Sequence, residues 1–348
     1  MVLALIGATG VTAGAQNIFV ANFGNNTVSE FGPTGSLTNA TFASGASLSS
    51  PSGLAFDTAG NLYVASHNGI GKQTVSEFDA SGNLITGSFV SSSSTLEGLA
   101  FDTNGHFYVV NSSANQVLEF DATGENLIQT ISSTNFDSPI GIAFDTGGNF
   151  YVANRDNGKV LKFDPDGNPV NGEVFASGLH EPEGVAFDSH GNLYVASFQD
   201  GTVSKFDASG NLVNASFASG LSHPIGVAFD SGGNLYVANF LGNTVSKFDS
   251  SGNLINASFI SGLNSPSYLA FRGISLPVSP PPTVTITNSG NQVIVSWPLT
   301  PGFTLQQTSD LQAGNWTASS YPMTTNGAMG RVTIASPTGN LFFRLNHE

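Results

Sequence analysis

Residues 224–259 read PIGVAFDSGGNLYVANFLGNTVSKFDSSGNLINASF. Four short runs rich in Val, Leu, Phe and Tyr alternate with clusters of Gly, Asn, Asp and Ser, the pattern of four strands joined by turns. We label the strands a (GVAFD), b (NLYVA), c (TVSKF) and d (NLINASF). Strand b is apolar on both parities, with Leu235 and Val237 on one face and Tyr236 and Ala238 on the other. Such a strand has to be covered on both sides, as between two stacked sheets. The a–b and c–d connections, D-x-x-G-N and F-D-x-S-G-N, are tight hairpins in which Asp bonds the turn backbone and Gly supplies positive φ.

The phrase recurs. Strand b begins at Asn17, Asn61, His106, Asn149, Asn192 and Asn234, with steps of 44, 45, 43, 43 and 42 residues. A β-type period of this length belongs to a propeller or a related array, because one unit cannot bury its own apolar faces. Strand a also occurs six times, at Pro51, Leu96, Pro139, Pro182, Pro224 and Pro266. The repeats therefore open with b-c-d at residue 17 and close with a lone strand a, PSYLAF at 266–271. Pairing that strand with the first three completes a sixth blade and removes two sheet edges. The expected architecture is all-β: a six-bladed β-propeller with one-plus-three strand closure, followed by a small β-sandwich.

The segment PEGVAFDSHGNLYVASFQDGTVSKFDASGN (182–211) resembles the NHL repeat, and the resemblance covers most of residues 17–271. It implies a propeller related to the gluconolactonase-like and streptogramin-lyase-like propellers of bacteria. The chain departs from that family after the V-A pair, where Asp is frequent. Here the residues are Asn22, Ser66, Asn111, Asn154, Ser197 and Asn239.

Four segments are expected. Residues 1–15 carry an apolar run and the A-x-A sequence Ala13-Gly14-Ala15, read as a signal peptide remnant that places the mature protein outside the cell or in the periplasm, the alternative being an extra N-terminal strand or a disordered tail. The propeller covers 16–275 and a Pro-rich extended linker covers 276–283. Residues 284–348 alternate apolar and polar side chains and resemble the small β-sandwich domains, somewhat like fibronectin type III, at the C-termini of secreted bacterial proteins. Trp297 and Trp316 are the only tryptophans and are read as core anchors.

Composition excludes several partners. The net charge is −15, from 24 acidic and 9 basic residues, which disfavours nucleic acid and anionic membrane surfaces. No apolar run approaches the ~20 residues of a spanning helix, and without cysteine there are no disulfides or thiolate metal sites. The expected state is a monomer.

Candidate site residues lie on the face formed by the b–c and d–a loops, because the opposite face is uniform. There Asp57, Asp102, Asp145, Asp188 and Asp230 end strand a, and Asp79, Asp121, Asp164, Asp207 and Asp249 end strand c. Ten such Asp residues read as turn structure. Asp164-Pro-Asp166-Gly-Asn168 has the opening spacing of a calcium loop but no later Glu, and is also read as a turn.

On the variable face the first b–c loop positions are Phe23, His67, Ser112, Arg155, Phe198 and Phe240. Phe198, Phe240 and Phe23 belong to neighbouring blades and form an aromatic crescent that His67 extends. The same residues also fit packing between blades. The blade-2 b–c loop is long, His67 to Gln73, and carries Lys72, and the d–a loop entering that blade, Ala43 to Ser50, is enlarged. Glu97 and Glu183 occupy the second position of strand a and are expected at the channel mouth. His180 and His223 stand at unequal offsets before strand a and make a poor zinc site.

The expected function is therefore a secreted, non-catalytic binding propeller for a carbohydrate or an extracellular protein, with no catalytic residue and no cofactor assigned. One alternative, implied by the resemblance, is a metal-dependent lactonase or lyase with Ca2+ or another divalent ion near Glu97 and Glu183. The other is a purely structural surface protein.

Overall fold

A computed structural model of the chain describes residues 3–5, 16–67, 69, 72–272, 284–289, 292–298, 303–309, 317–326, 329–335 and 341–347. The chain divides into two compact units, residues 15–278 and residues 1–14 with 279–348.

Residues 15–278 fold as an all-β propeller of four-stranded antiparallel sheets, each ordered a-b-c-d. Sheet 2 is Pro51–Phe56, Leu62–His67, Gln73–Phe78 and Leu84–Ser92, and sheet 3 is Leu96–Phe101, Phe107–Asn111, Gln116–Phe120 and Leu127–Ser132. Sheet 4 is Pro139–Phe144, Phe150–Asn154, Lys159–Phe163 and Pro169–Ala176. Sheet 5 is Pro182–Phe187, Leu193–Ser197, Thr202–Phe206 and Leu212–Ala218, and sheet 6 is Pro224–Phe229, Leu235–Asn239, Thr244–Phe248 and Leu254–Ile260. Sheet 1 joins the two ends of the unit. Its strand a, Pro266–Phe271, pairs with Ile18–Asn22, which is followed by Thr27–Phe31 and Leu37–Ala43. Ile18 lies opposite Phe271 and Val20 opposite Leu269.

Every strand b is buried on both faces, and each face feeds a different apolar cluster. Phe19, Phe42, Leu54 and Val64 join sheets 1 and 2, and Tyr236, Ile260, Leu269 and Phe271 join sheets 6 and 1. Clusters of the same kind join sheets 2 and 3, 3 and 4, 4 and 5, and 5 and 6. Nearer the axis the inner strands come close enough to exclude side chains. A Cβ on Gly53, Gly98, Gly141 or Gly184 would lie 2.1–2.4 Å from the carbonyl oxygen of the next strand a.

The boundaries between sheets also carry a polar signature. Lys162, Lys205 and Lys247 of strand c lie 3.8, 3.9 and 3.8 Å from Asp145, Asp188 and Asp230, and over the rings of Tyr151, Tyr194 and Tyr236. Those tyrosines donate to the same carboxylates. Sheet 1 departs from this pattern: Arg272 stands where strand a elsewhere ends in Asp, and Phe19 where the other strands b have Tyr, while Glu30 matches Glu77 and Glu119 of sheets 2 and 3. The Arg272 guanidinium lies 4.5, 5.1 and 5.5 Å from the rings of Phe19, Phe42 and Phe56. A desolvated cation over aromatic faces contributes ~2 kcal/mol.

The Asp turns behave as their composition implies. Asp79 Oδ1 accepts from the backbone N–H of Ser81 and Asn83, at 2.8 and 2.9 Å, and Oδ2 accepts from the Asn83 side chain at 2.9 Å. Asp164 accepts from the N–H groups of Asp166 and Asn168 in the same way, which makes 164–168 a turn.

In the second unit, Thr285–Ser289, Gln292–Pro298, Met329–Ala335 and Met323–Asn326 form one sheet, in that order. Leu3–Leu5, Leu341–His347, Phe303–Thr308 and Thr317–Ala318 form the other, with Leu3–Leu5 parallel to Leu341–Phe343. Trp297 is 3% exposed and packs with Val293, Val332 and Ile334 of its own sheet and Leu305 and Phe343 of the other. Trp316, the linker 276–283 and the Ala13–Ala15 boundary lie outside the described residues. No helix among the described residues is long and apolar enough to cross a membrane.

Two expectations follow. Deleting 266–271 leaves sheet 1 without its inner strand, so scanning calorimetry should show the cooperative transition of the propeller lost. Truncation after residue 278 should shift that transition by only a few degrees. Equal effects of the two deletions would contradict the strand pairing.

Second, hydrogen bonds from Asn side chains and turn N–H groups hold Asp79, Asp164, Asp207 and Asp249 below the usual carboxylate range and lower Asp121 to about 2. A depressed folded-state pKa stabilises above the unfolded value, and that contribution is lost as pH falls. Thermal stability should therefore drop from about pH 4 toward pH 2, with Asp121 the last of these carboxylates to protonate by NMR titration.

Candidate functional site

The face formed by the b–c and d–a loops is built on one repeated hydrogen bond. The first residue after strand b donates its N–H to the segment entering strand a of the same sheet. Phe23 donates to Ser265, Arg155 to Ser138, Phe198 to Glu181 and Phe240 to His223, at 3.0–3.1 Å. The acceptors Ser138, Glu181, His223 and Ser265 have φ between 48° and 56°, each just before a proline. Proline disfavours the right-handed helical region for the residue before it, and the left-handed alternative strains a non-glycine residue by on the order of 1 kcal/mol.

The structure brings five of the six first-position residues into one arc. Arg155 lies 5.4 Å over the Phe198 ring, Phe198 is 6.4 Å from Phe240, Phe240 is 5.8 Å from Phe23, and Phe23 is 5.8 Å from His67. The arc thus crosses sheets 4, 5, 6, 1 and 2. The three Phe are half-buried, so they serve packing and surface together. The gap is at sheet 3, where Ser112 is buried at the start of a short 3-10 turn, Ser112–Ala114. The residues before the arc, Asn22, Ser66, Asn111, Asn154, Ser197 and Asn239, are buried in their sheets. Asn22 and Asn239, for example, donate to Ser29 and Ser246 at 2.9 Å.

Each end of the arc closes on a glutamate of strand a. His67 Nε2 is 3.2 Å from Glu97 Oε1, and Arg155 Nε is 3.3 Å from Glu183 Oε1 while its Nη2 donates to Glu181 at 3.1 Å. Burial lowers the His67 pKa, but the hydrogen bond to Glu97, that carboxylate's charge and the Leu96 carbonyl together outweigh this, and the net shift is upward. Glu183 is 4% exposed, and burial raises its pKa to about 8 against the attraction of Arg155.

Two readings from the sequence need correction. His67 is the last residue of strand b, paired with Gln73, so the long hairpin adds a rung. Ala43 likewise ends its strand d, so the enlarged loop is 44–50. Lys72 is exposed and stands apart from the arc, on the wall of a shallow concavity with Gln73, Thr74 and Ser91–Ser93.

Tyr268 was not legible as a site residue. Five strands a have Gly at their third position, and the sixth, PSYLAF, has Tyr. Its hydroxyl is buried with no hydrogen-bond partner, and burial together with Glu183 and Glu97 raises its pKa well above the phenol range. That break in P-x-G was the available signal.

The donor set does not fit a bound divalent metal. Among the described residues no group of three or more His, Asp and Glu side chains could hold an ion. Glu183 faces a guanidinium, His180 pairs with Asp200 at 2.8 Å, and His223 packs on Phe198.

Comparison with known proteins agrees with this geometry. Residues 136–163 match the NHL repeat family, and residues 174–206 match the strictosidine synthase-like, N-terminal family. The repeat unit is a β-propeller, with an NHL repeat matched at residues 136–163. No curated protein matches the sequence. Among solved structures, a chain of a nidogen/laminin complex superposes with TM-score 0.60 at 19% identity, covering 75% of this chain and 99% of that one. A gluconolactonase from Xanthomonas campestris gives 0.51 at 19%, covering 70% and 82%, and a streptogramin B lyase 0.50 at 13%, covering 92% and 98%. At these identities the likeness is one of fold, and NHL-type propellers host binding and catalysis alike.

Glu183 provides a test of the site's electrostatics. Its ordinary pKa near 4.5 rises to about 8 on folding, so between these values the unfolded chain releases a proton that the folded one keeps. Stability should therefore fall as pH rises from about 4.5 to 8, and Glu183→Gln should flatten that segment of the curve measured by denaturant titration. An unchanged slope in the variant would mean that Glu183 is ionised throughout.

Proposed function

We propose that this protein is a non-catalytic binding propeller that takes a carbohydrate or an extracellular protein on its loop face. The observation that carries the reading is the arc of touching rings and charges from Arg155 through Phe198, Phe240 and Phe23 to His67. Half-buried aromatic rings held by paired charges suit a recognition surface better than a reacting centre. General acid–base work needs a positioned proton carrier that a substrate can reach; here His67 is tied to Glu97, and Glu183, with its pKa raised to about 8, lies 4% exposed against Arg155. The lactonase or lyase alternative rests on fold likeness, and its metal finds no donor set among the described residues.

In this reading the six sheets are six blades, closed by one strand from the C-terminal end of the repeats and three from the N-terminal end. The second unit is read as a small fibronectin-like β-sandwich, a proposal supported by the cluster its two sheets share around Trp297. The protein is further proposed to be exported and monomeric, with mature material beginning at Gln16, a cleavage that would remove the strand Leu3–Leu5 paired with Leu341–Phe343. N-terminal sequencing of native protein checks that boundary.

The binding test is a glycan and peptide array probed with wild type and with Phe23, Phe198 and Phe240 together changed to Ala. Aromatic contacts contribute about 0.5–1.5 kcal/mol per ring, so any ligand of this face should be weakened about tenfold or more. Asp79→Asn, on the opposite face, should leave binding unchanged. A ligand bound equally well by the triple variant would remove the site from this face.

A further inference from the structure

The loop face is divided by charge and polarity. Leu241, the residue after Phe240, is 56% exposed. The other strongly exposed large apolar residues described in residues 15–278 lie on outer strands d. Leu241 thus extends the half-buried rings of Phe198, Phe240 and Phe23 into an apolar sector over sheets 5, 6 and 1. The loops on this face of sheets 6, 1 and 2 contain no Asp or Glu.

Every carboxylate in these loops belongs to sheets 4 and 5: Asp137, Asp156, Glu181 and Asp200. Asp137, Asp156 and Asp200 are exposed. Beneath them lies Glu183, nearly fully buried, and beyond it the unpartnered hydroxyl of Tyr268. The single arginine here, Arg155, shows how the sector receives a cation. Its guanidinium sits over the Phe198 ring and against Glu181 and Glu183.

We propose that this face docks a protein segment that presents an arginine or lysine next to a large apolar side chain. The apolar side chain lies against Leu241, Phe240 and Phe23, and the cation faces Asp137 and Asp156. The proposal rests on the loop-face reading above and gives that site its partner chemistry. Charge complementarity favours this occupant over a neutral sugar, which has no use for the acidic sector, and over a second copy of this chain, whose own loop face is acidic in the same place. Apolar contact provides the affinity, and the acidic sector provides orientation and a faster encounter.

The test uses surface plasmon resonance with the full chain and three immobilised peptides of one length: one with Arg-Leu-Phe at its centre, one with Glu-Leu-Phe and one with Arg-Ser-Ser. The first should bind, and the other two about tenfold more weakly or not at all. Leu241→Asp should weaken the first peptide about tenfold, and Asp137→Asn with Asp156→Asn about fivefold. Added salt should weaken the wild type and act less on the double variant. All three substitutions are at exposed positions, and thermal melting verifies that the fold survives.

Equal binding of the Arg-Leu-Phe and Glu-Leu-Phe peptides, or none to the first at about 1 mM, overturns the partner chemistry. A neutral glycan that binds and is lost with Leu241→Asp overturns it as well but leaves the loop-face site standing. Binding of the first peptide that ignores both variants overturns the site itself. Sedimentation showing self-association abolished by Leu241→Asp assigns the face to a second copy and also overturns the proposal.

Discussion

The close approach of the inner strands is the constraint on which the molecule depends. Four of the strands a place a carbonyl oxygen where a Cβ on their neighbour would have to go, and only glycine leaves room. With the backbones this near, each strand b is enclosed by the sheets on either side, so its apolar residues are buried whichever way they point. The spacing also sets the circumference at the mouth, which brings the first residues of successive loops to within 5.4–6.4 Å of one another. Packing at the axis and the arc of loop residues are therefore two results of one distance.

Departures from the repeat collect at the closing sheet, where different parts of the chain meet. Tyr268 takes the place of the inner glycine, and Arg272 the place of the terminal aspartate. Phe19 changes with it, taking the place of the Tyr found in the other strands b. The guanidinium then stacks on three rings where sheets 4–6 use an ammonium on two.

Much of this was legible in the sequence, for a physical reason. Strand b, the Asp turns and the pairing of 266–271 with the first strand follow from local chemistry repeated six times, and repetition averages out the ambiguity of any one segment. The order of the arc could also be read, because neighbouring blades put equivalent residues side by side. What escaped were single residues judged by the repeat rather than against it. His67 was assigned to a loop although it adds a rung with Gln73. Tyr268 was hidden within a P-x-G pattern that it breaks. Leu241 was passed over because exposure depends on the curvature of the ring, which no local pattern encodes.

Closure has a consequence in time as well as in space. Ile18 is synthesised early and Phe271 late, and until the second is available the first has no partner on its inner side. Bringing such distant segments together costs loop entropy that grows only as the logarithm of their separation, so the delay matters more than the free energy. During that interval strand Ile18–Asn22 is an open template for any extended chain nearby. The molecule is therefore most exposed to misassembly just before it is complete, and the aromatic seat of Arg272 lies one residue beyond the strand that ends that interval.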